Sequence, residues 1–141
     1  MKTIGILLFC LGILAVSVTP GEAVSPRASN KPSPAPSKEY KDCIGGSAKS
    51  DHDLAGCESD EYDRLDKVLN TTYRGLLPKL EADRRTLLQD SERAWVSFRD
   101  AQCFYEKSRD EGGTLETAAY YSCLRQMTAD RIKELLKDWD D

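Results

Sequence analysis

The stretch SERAWVSFRDAQC, residues 91–103, sets Trp95, Phe98, Arg99, Gln102 and Cys103 within about three helical turns. Trp95, Phe98, Arg99 and Gln102 follow at steps of three, one and three and so share one helical face. That face carries two aromatic rings and a guanidinium together. Trp95 and Phe98 are expected in the core, which aims Arg99 at the core side as well. A buried charge without a partner is expensive, so another helix must answer Arg99.

The rest of the chain supplies those helices. Apolar positions at Leu54, Cys57, Tyr62, Leu65, Val68, Leu69, Tyr73, Leu76, Leu77 and Leu80 recur mostly at steps of three or four. Ser50 and Asp51 offer caps before this run, and Pro78 must end or kink it near Leu77. A second run carries Leu80, Leu87, Leu88, Ala94, Trp95, Phe98 and Tyr105, then dissolves into KSRDEGG. A third opens at Thr114, a candidate cap, and carries Leu115, Ala118, Ala119, Leu124, Met127, Ile132, Leu135, Leu136 and Trp139. No useful two-residue alternation occurs. The expected fold is all-α: an antiparallel bundle of about three long helices with a short N-terminal segment, stapled by two disulfides.

Polar residues intrude on the apolar stripes of all three helices. Asp66, Asn70 and Tyr73 stack at steps of four and three on the first, and Met127, Arg131 and Leu135 at steps of four on the third. Asp66 is expected to accept an ion pair from Arg99 or Arg131, with Asn70 completing a network that fixes helix register. The set lacks a nucleophile or a proton-transfer pair, which argues for a structural role and against an enzyme. His52 stands alone between two aspartates and reads as a solvated surface residue. No glycine loop for phosphate and no serine elbow is present, and no cofactor or metal is expected.

The N-terminus reads MKTIGILLFCLGILAVSVTPGEA, a lysine followed by an apolar run from Ile4 to Val18 with Ala23 before a cut. This is the layout of a secretory signal peptide over residues 1–23; the run is short against the roughly 20 residues that span a bilayer. Residues 24–39, VSPRASNKPSPAPSKE, are rich in proline and serine and expected to form a disordered linker. The folded domain is then 40–141, and the protein periplasmic or secreted, without stable membrane insertion. Removing residues 1–23 takes one lysine and one glutamate and leaves the net charge at −4, which carries no footprint for nucleic acid.

Four cysteines then remain, Cys43, Cys57, Cys103 and Cys123. An even count in an exported small domain argues for two disulfides over zinc, since no Cys-x-x-Cys pair exists and His52 is the single histidine. Cys103 lies nine residues before Gly112 and Cys123 ten after Gly113, so an antiparallel hairpin lets them meet. Cys43 and Cys57 flank the Gly45-Gly46 turn. Four cysteines allow three connectivities; the spacing favours 43–57 with 103–123.

In order, YDRLDKVLNTTYRGLLPKL, SERAWVSFRDAQC and CLRQMTADRIKELL resemble the N-terminal domain family of the lysozyme inhibitor LprI, over roughly residues 43–139. The most specific pieces are LDKVLNTTY, RAWVSFRDAQC and CLRQMTADRIKEL. The resemblance implies an all-helical, disulfide-bearing protein of the bacterial envelope whose recurrent positions are Asp66, Asn70, Tyr73, Trp95, Arg99, Cys103, Cys123 and Arg131. It implies a protein partner, a lysozyme or related peptidoglycan hydrolase. Cys10 follows bulky Phe9 inside the apolar run, so a lipid anchor is not carried over. The expected partner-binding element is the turn Ser108, Arg109, Asp110, Glu111, Gly112, Gly113 and Thr114, with residues 45–51 second. The alternative is a non-catalytic structural or adaptor module binding another protein or a cell-wall component.

Overall fold

A computed structural model describes residues 31–139. The expected signal segment and residues 24–30 of the expected linker lie outside the described residues. Four α-helices occur and no strand among the described residues: α1 (Lys38–Asp42), α2 (Asp51–Leu76), α3 (Ala82–Lys107) and α4 (Glu116–Leu135). The three long helices are as the periodicity suggests, and the short N-terminal segment is itself helical. No described helix is long and apolar enough to cross a membrane.

Local chemistry sets each boundary. Ser50 caps α2, its hydroxyl accepting from the Asp53 amide at 3.1 Å, and Asp51 and Asp53 place negative charge at the positive end of the helix. Pro78 cannot continue the ladder, and the chain passes through one tight turn at Leu77–Lys79 before α3. The α3–α4 turn closes at Gly112, whose φ of 74° suits a residue without a Cβ. Thr114 is not the α4 cap that its position suggests. The helix begins two residues later, after Leu115, and the Thr114 hydroxyl donates instead to the Asp51 carboxylate.

Consecutive long helices run antiparallel, so α2 and α4 run parallel. Thr114 meets Asp51 at one end, and Gly75 meets Trp139 at the other. The core lies between these two helices: Leu65, Leu69 and Leu76 of α2 against Ala129, Ile132 and Leu135 of α4. Leu65, Leu76 and Ile132 are essentially solvent-free, each contributing about 1.5–3 kcal/mol by burial. Helix α3 lends Leu88 and Trp95 to this cluster. Phe98, expected in the core, is instead 59% exposed, and Leu87 and Tyr105 are exposed with it. The physical reason is that Trp95 and Arg99 already define the inward side of α3, and Phe98 falls round the flank of the helix.

Two disulfides staple the arrangement, Cys43–Cys57 with Cα atoms 5.9 Å apart and Cys103–Cys123 at 5.4 Å. They close loops of 14 and 20 residues, each restricting the unfolded chain by about 3 kcal/mol. The first also ties α1 to α2. Ser37 caps α1 through the Tyr40 amide, and both its own amide and its hydroxyl donate to Glu61, at 3.0 and 2.7 Å. Arg64 donates to the same carboxylate and to the Ala35 carbonyl. The Tyr40 hydroxyl donates to Glu58 at 2.8 Å, and Arg125 of α4 pairs with Glu58 from the other side. Burial, and then the bond to Glu58, push the Tyr40 phenol up to about 12.

Burial by itself would raise the Glu61 carboxyl, but the Arg64 guanidinium and the two Ser37 donors outweigh it and hold the group below its usual range. A carboxyl depressed by folding stabilises the protein above its unfolded value near 4.3, and that contribution is lost as the pH falls through the folded value. Glu61→Gln is expected to flatten the fall in stability below about pH 4.3, and Glu61→Ala to cost about 1.5–3 kcal/mol at neutral pH, both read by urea denaturation. A second expectation concerns the far end of the core. A Cβ at Gly75 would lie 2.5 Å from the Trp139 ring, whose face also carries the Lys79 ammonium at 4.6 Å. Gly75→Ala should displace the indole, shift tryptophan emission to the red and cost about 1–3 kcal/mol.

Candidate functional site

The residues expected to form a structural polar network and those expected to bind a partner lie in different parts of the molecule. Arg99 is buried beneath the α2–α3 groove, its Nε and Nη2 held by Asp100 at 2.9 and 2.8 Å, and its Nη1 3.7 Å from Asp66. The guanidinium stands over the Trp95 ring at 5.2 Å and over Tyr62 at 5.6 Å. Asn70 donates to the Asp66 carboxylate at 3.0 Å and to the Asp66 carbonyl at 2.8 Å. Asp66 and Asn70 remain partly open to water, and with Tyr73 they line a groove of about 560 Å³ between α2 and α3.

Arg131 takes no part in that cluster. Its guanidinium meets Glu92 at 2.9 Å, Ser91 at 3.1 Å and Glu134 at 2.9 Å, and lies 5.7 Å from the same Trp95 ring. The two arginines are thus linked through the indole and through no shared carboxylate. Glu92 is buried and was not among the residues picked from sequence; its place seven residues before Arg99, on the same helical face, is the signal that points to it. Glu58 and Glu61, also buried, were missed for another reason: their partners Tyr40 and Ser37 come from the N-terminal segment.

The expected partner-binding turn sits at the opposite end from Trp139. Because α2 and α4 are parallel, their first turns lie side by side, and the 45–51 segment comes beside 108–114 through the Thr114–Asp51 hydrogen bond. The two turns therefore form one surface. Its shape is fixed by short-range bonds: Gly113 donates to the Asp110 carbonyl at 2.7 Å, and Gly112 to the Glu116 carboxylate at 3.0 Å. Lys107 pairs with Glu116 at 3.0 Å, and this pairing, then the Gly112 amide, draws the Glu116 carboxyl below its ordinary range. Arg109 reaches back to Glu106 at 2.8 Å and covers the Tyr105 ring at 5.3 Å. Asp110 and Glu111 are left exposed at the tip.

Beside this tip runs an open groove of about 630 Å³, floored by Ala55 and Gly56 of α2 and by Thr117 and Tyr121 of α4. His52 and Asp51 stand at its mouth, so His52 is a surface residue with a concave neighbour. On the 45–51 side, Lys49 donates its amide to Asp53 at 3.0 Å; that bond, then the Ser50 hydroxyl, lowers the Asp53 carboxyl. The end of the bundle is acidic, braced and concave.

Comparison with known proteins joins these observations to a family. The family model described as lysozyme inhibitor LprI matches residues 43–135, from the first disulfide to the end of α4. Two curated relatives are similar: the uncharacterized protein R02472 of Rhizobium meliloti, 31% identical over 101 residues covering 62% of this chain and 73% of its own, and the uncharacterized protein YecT of Escherichia coli, 27% identical over 113 residues covering 67% and 70%. No solved structure matches. With the family match spanning both disulfides, Trp95 and the two arginines, the chain belongs to the lysozyme inhibitor LprI family.

Proposed function

We propose that this protein is an exported, non-catalytic component of the bacterial envelope that binds and inhibits a lysozyme or a related peptidoglycan hydrolase. Family membership over residues 43–135 is the observation that carries the reading. Two disulfides agree with an oxidising compartment outside the cytoplasm. The net charge of −4 suits a cationic hydrolase and acts mainly on the rate of encounter.

The turn 108–114 is the inserting element of this proposal. Its exposed Asp110 and Glu111 present carboxylates on a frame already ordered by Gly112, Gly113 and Glu116, so little entropy is lost on docking. The 45–51 segment widens the same surface. An exposed apolar patch at Tyr120, Tyr121 and Trp139 would favour the adaptor alternative; all three are half-buried, and Trp139 is closed against Gly75.

The test is the turbidity of a cell-wall suspension lysed by lysozymes of several types, with and without the purified protein. Inhibition at micromolar protein is expected, weakening as salt rises. The double variant Asp110→Lys with Glu111→Lys should raise the concentration for half inhibition roughly tenfold or more without changing the melting temperature. Full lysozyme activity at micromolar protein overturns the proposal, and undiminished inhibition by the double variant removes the turn from it.

A further inference from the structure

Helix α3 carries a second apolar stripe outside the core, bordered at its N-terminal end by α4, where the Ser91 hydroxyl accepts from Arg131. Leu87, Ala94, Phe98, Ala101 and Tyr105 recur at seven, four, three and four, with Ser91 filling the missing step, and every one is exposed. Leu87, Phe98 and Tyr105 are 68%, 59% and 59% exposed. Three of the six exposed large apolar residues among the described residues therefore stand on one side of one helix, while Phe104 lies farther round it with its ring against Tyr120 of α4. Scattered apolar surface is ordinary, but a contiguous row at coiled-coil spacing is the pattern of a helix seam.

We propose that this row is a self-association seam, along which two copies of the chain pair their α3 helices antiparallel about a two-fold axis. The residues are complementary to their own reverse. With the axis near Val96, Phe98 of one copy falls on Ala94 of the other, and Leu87 falls on Tyr105. Large side chains meet small ones at the centre, and the relation repeats by symmetry, as an isologous contact requires.

The area fits a weak pair. Aromatic side chains offer roughly 150–250 Å² each when fully covered, so three large residues about 60% exposed, with Ala94 and Ala101 between them, present on the order of 400 Å² per copy. The pair then buries about 800 Å², which suits a weak, concentration-dependent association. A binding turn at one end of the bundle stays free, because the seam runs along the flank of α3 and stops before Gly112.

Light scattering and sedimentation equilibrium of the purified protein, from micromolar to near-millimolar, should show a mass rising from one chain to two and no further. Phe98→Glu should weaken the association roughly a hundredfold or more and leave the thermal melt unchanged at concentrations where the parent protein is monomeric, since Phe98 is largely exposed there. Ala94→Phe alone should also weaken it, by setting ring against ring, while Ala94→Phe combined with Phe98→Ala should restore it. A mass of one chain at every concentration overturns the proposal, as does a dimer that survives Phe98→Glu. Failure of the combined variant to recover overturns the antiparallel register. A monomer whose inhibition of lysozyme drops with Phe98→Glu gives the row to a foreign protein and overturns self-association.

Discussion

The bundle depends on one indole held between two guanidinium groups. Trp95 has Arg99 at 5.2 Å and Arg131 at 5.7 Å, and each arginine leads to a different helix. Arg99 carries α3 toward α2 through Asp66 and the Tyr62 ring, while Arg131 brings α4 to α3 through Glu92 and Ser91. Without this joint α3 would have little to hold it, because its inward apolar residues beyond Trp95 and Leu88 are few. Cation–π contacts of desolvated arginines are worth about 1–2 kcal/mol each, and each guanidinium here also makes charge-assisted hydrogen bonds. The cost of burying the charges is met by placing them on a flat aromatic face that an ammonium would use less well.

From this joint follows the asymmetry of the molecule. The α2–α4 pair owns the apolar core, and α3 is fastened to it by a polar clamp at its middle and by the Cys103–Cys123 bond near its end. A helix attached in this way does not need its whole apolar content for packing. That frees one side of α3 to remain apolar and exposed, and it leaves a groove between α2 and α3 where direct packing would otherwise close it. The parallel course of α2 and α4 has a separate effect: it brings two turns distant in sequence to one end, with the Thr114–Asp51 bond between them.

Sequence periodicity disclosed the three long helices because α2 and α4 each bury a single stripe. It misplaced Phe98 because α3 carries two stripes that overlap in spacing. Trp95 and Leu88 lie on the inner one, and Phe98, Leu87 and Tyr105 on the outer; a step of three or four cannot tell them apart. The Cys103–Cys123 pairing was legible because distance from a turn fixes register in a hairpin. The buried acids were not legible, since Glu58 and Glu61 look like solvated charges until Ser37 and Tyr40 fold back on them. Thr114 failed as a cap for a similar reason. A hydroxyl that finds a carboxylate on a neighbouring helix has no need of its own helix's amides, and such a partner is invisible in local sequence.

The distribution of order along the chain then acquires a reason. The frame is cross-linked beyond its hydrophobic contacts: α1 by a disulfide and Glu61, α3 by a disulfide and two arginines. The turn 108–114 is held by hydrogen bonds of its own backbone and of Glu116, and owes nothing to the apolar core. Its exposed residues can therefore change without cost to folding, whereas Trp95, Arg99 and Arg131 cannot. The turn proposed for recognition and the residues that hold the fold are therefore separate, and the turn can vary on an unchanged scaffold.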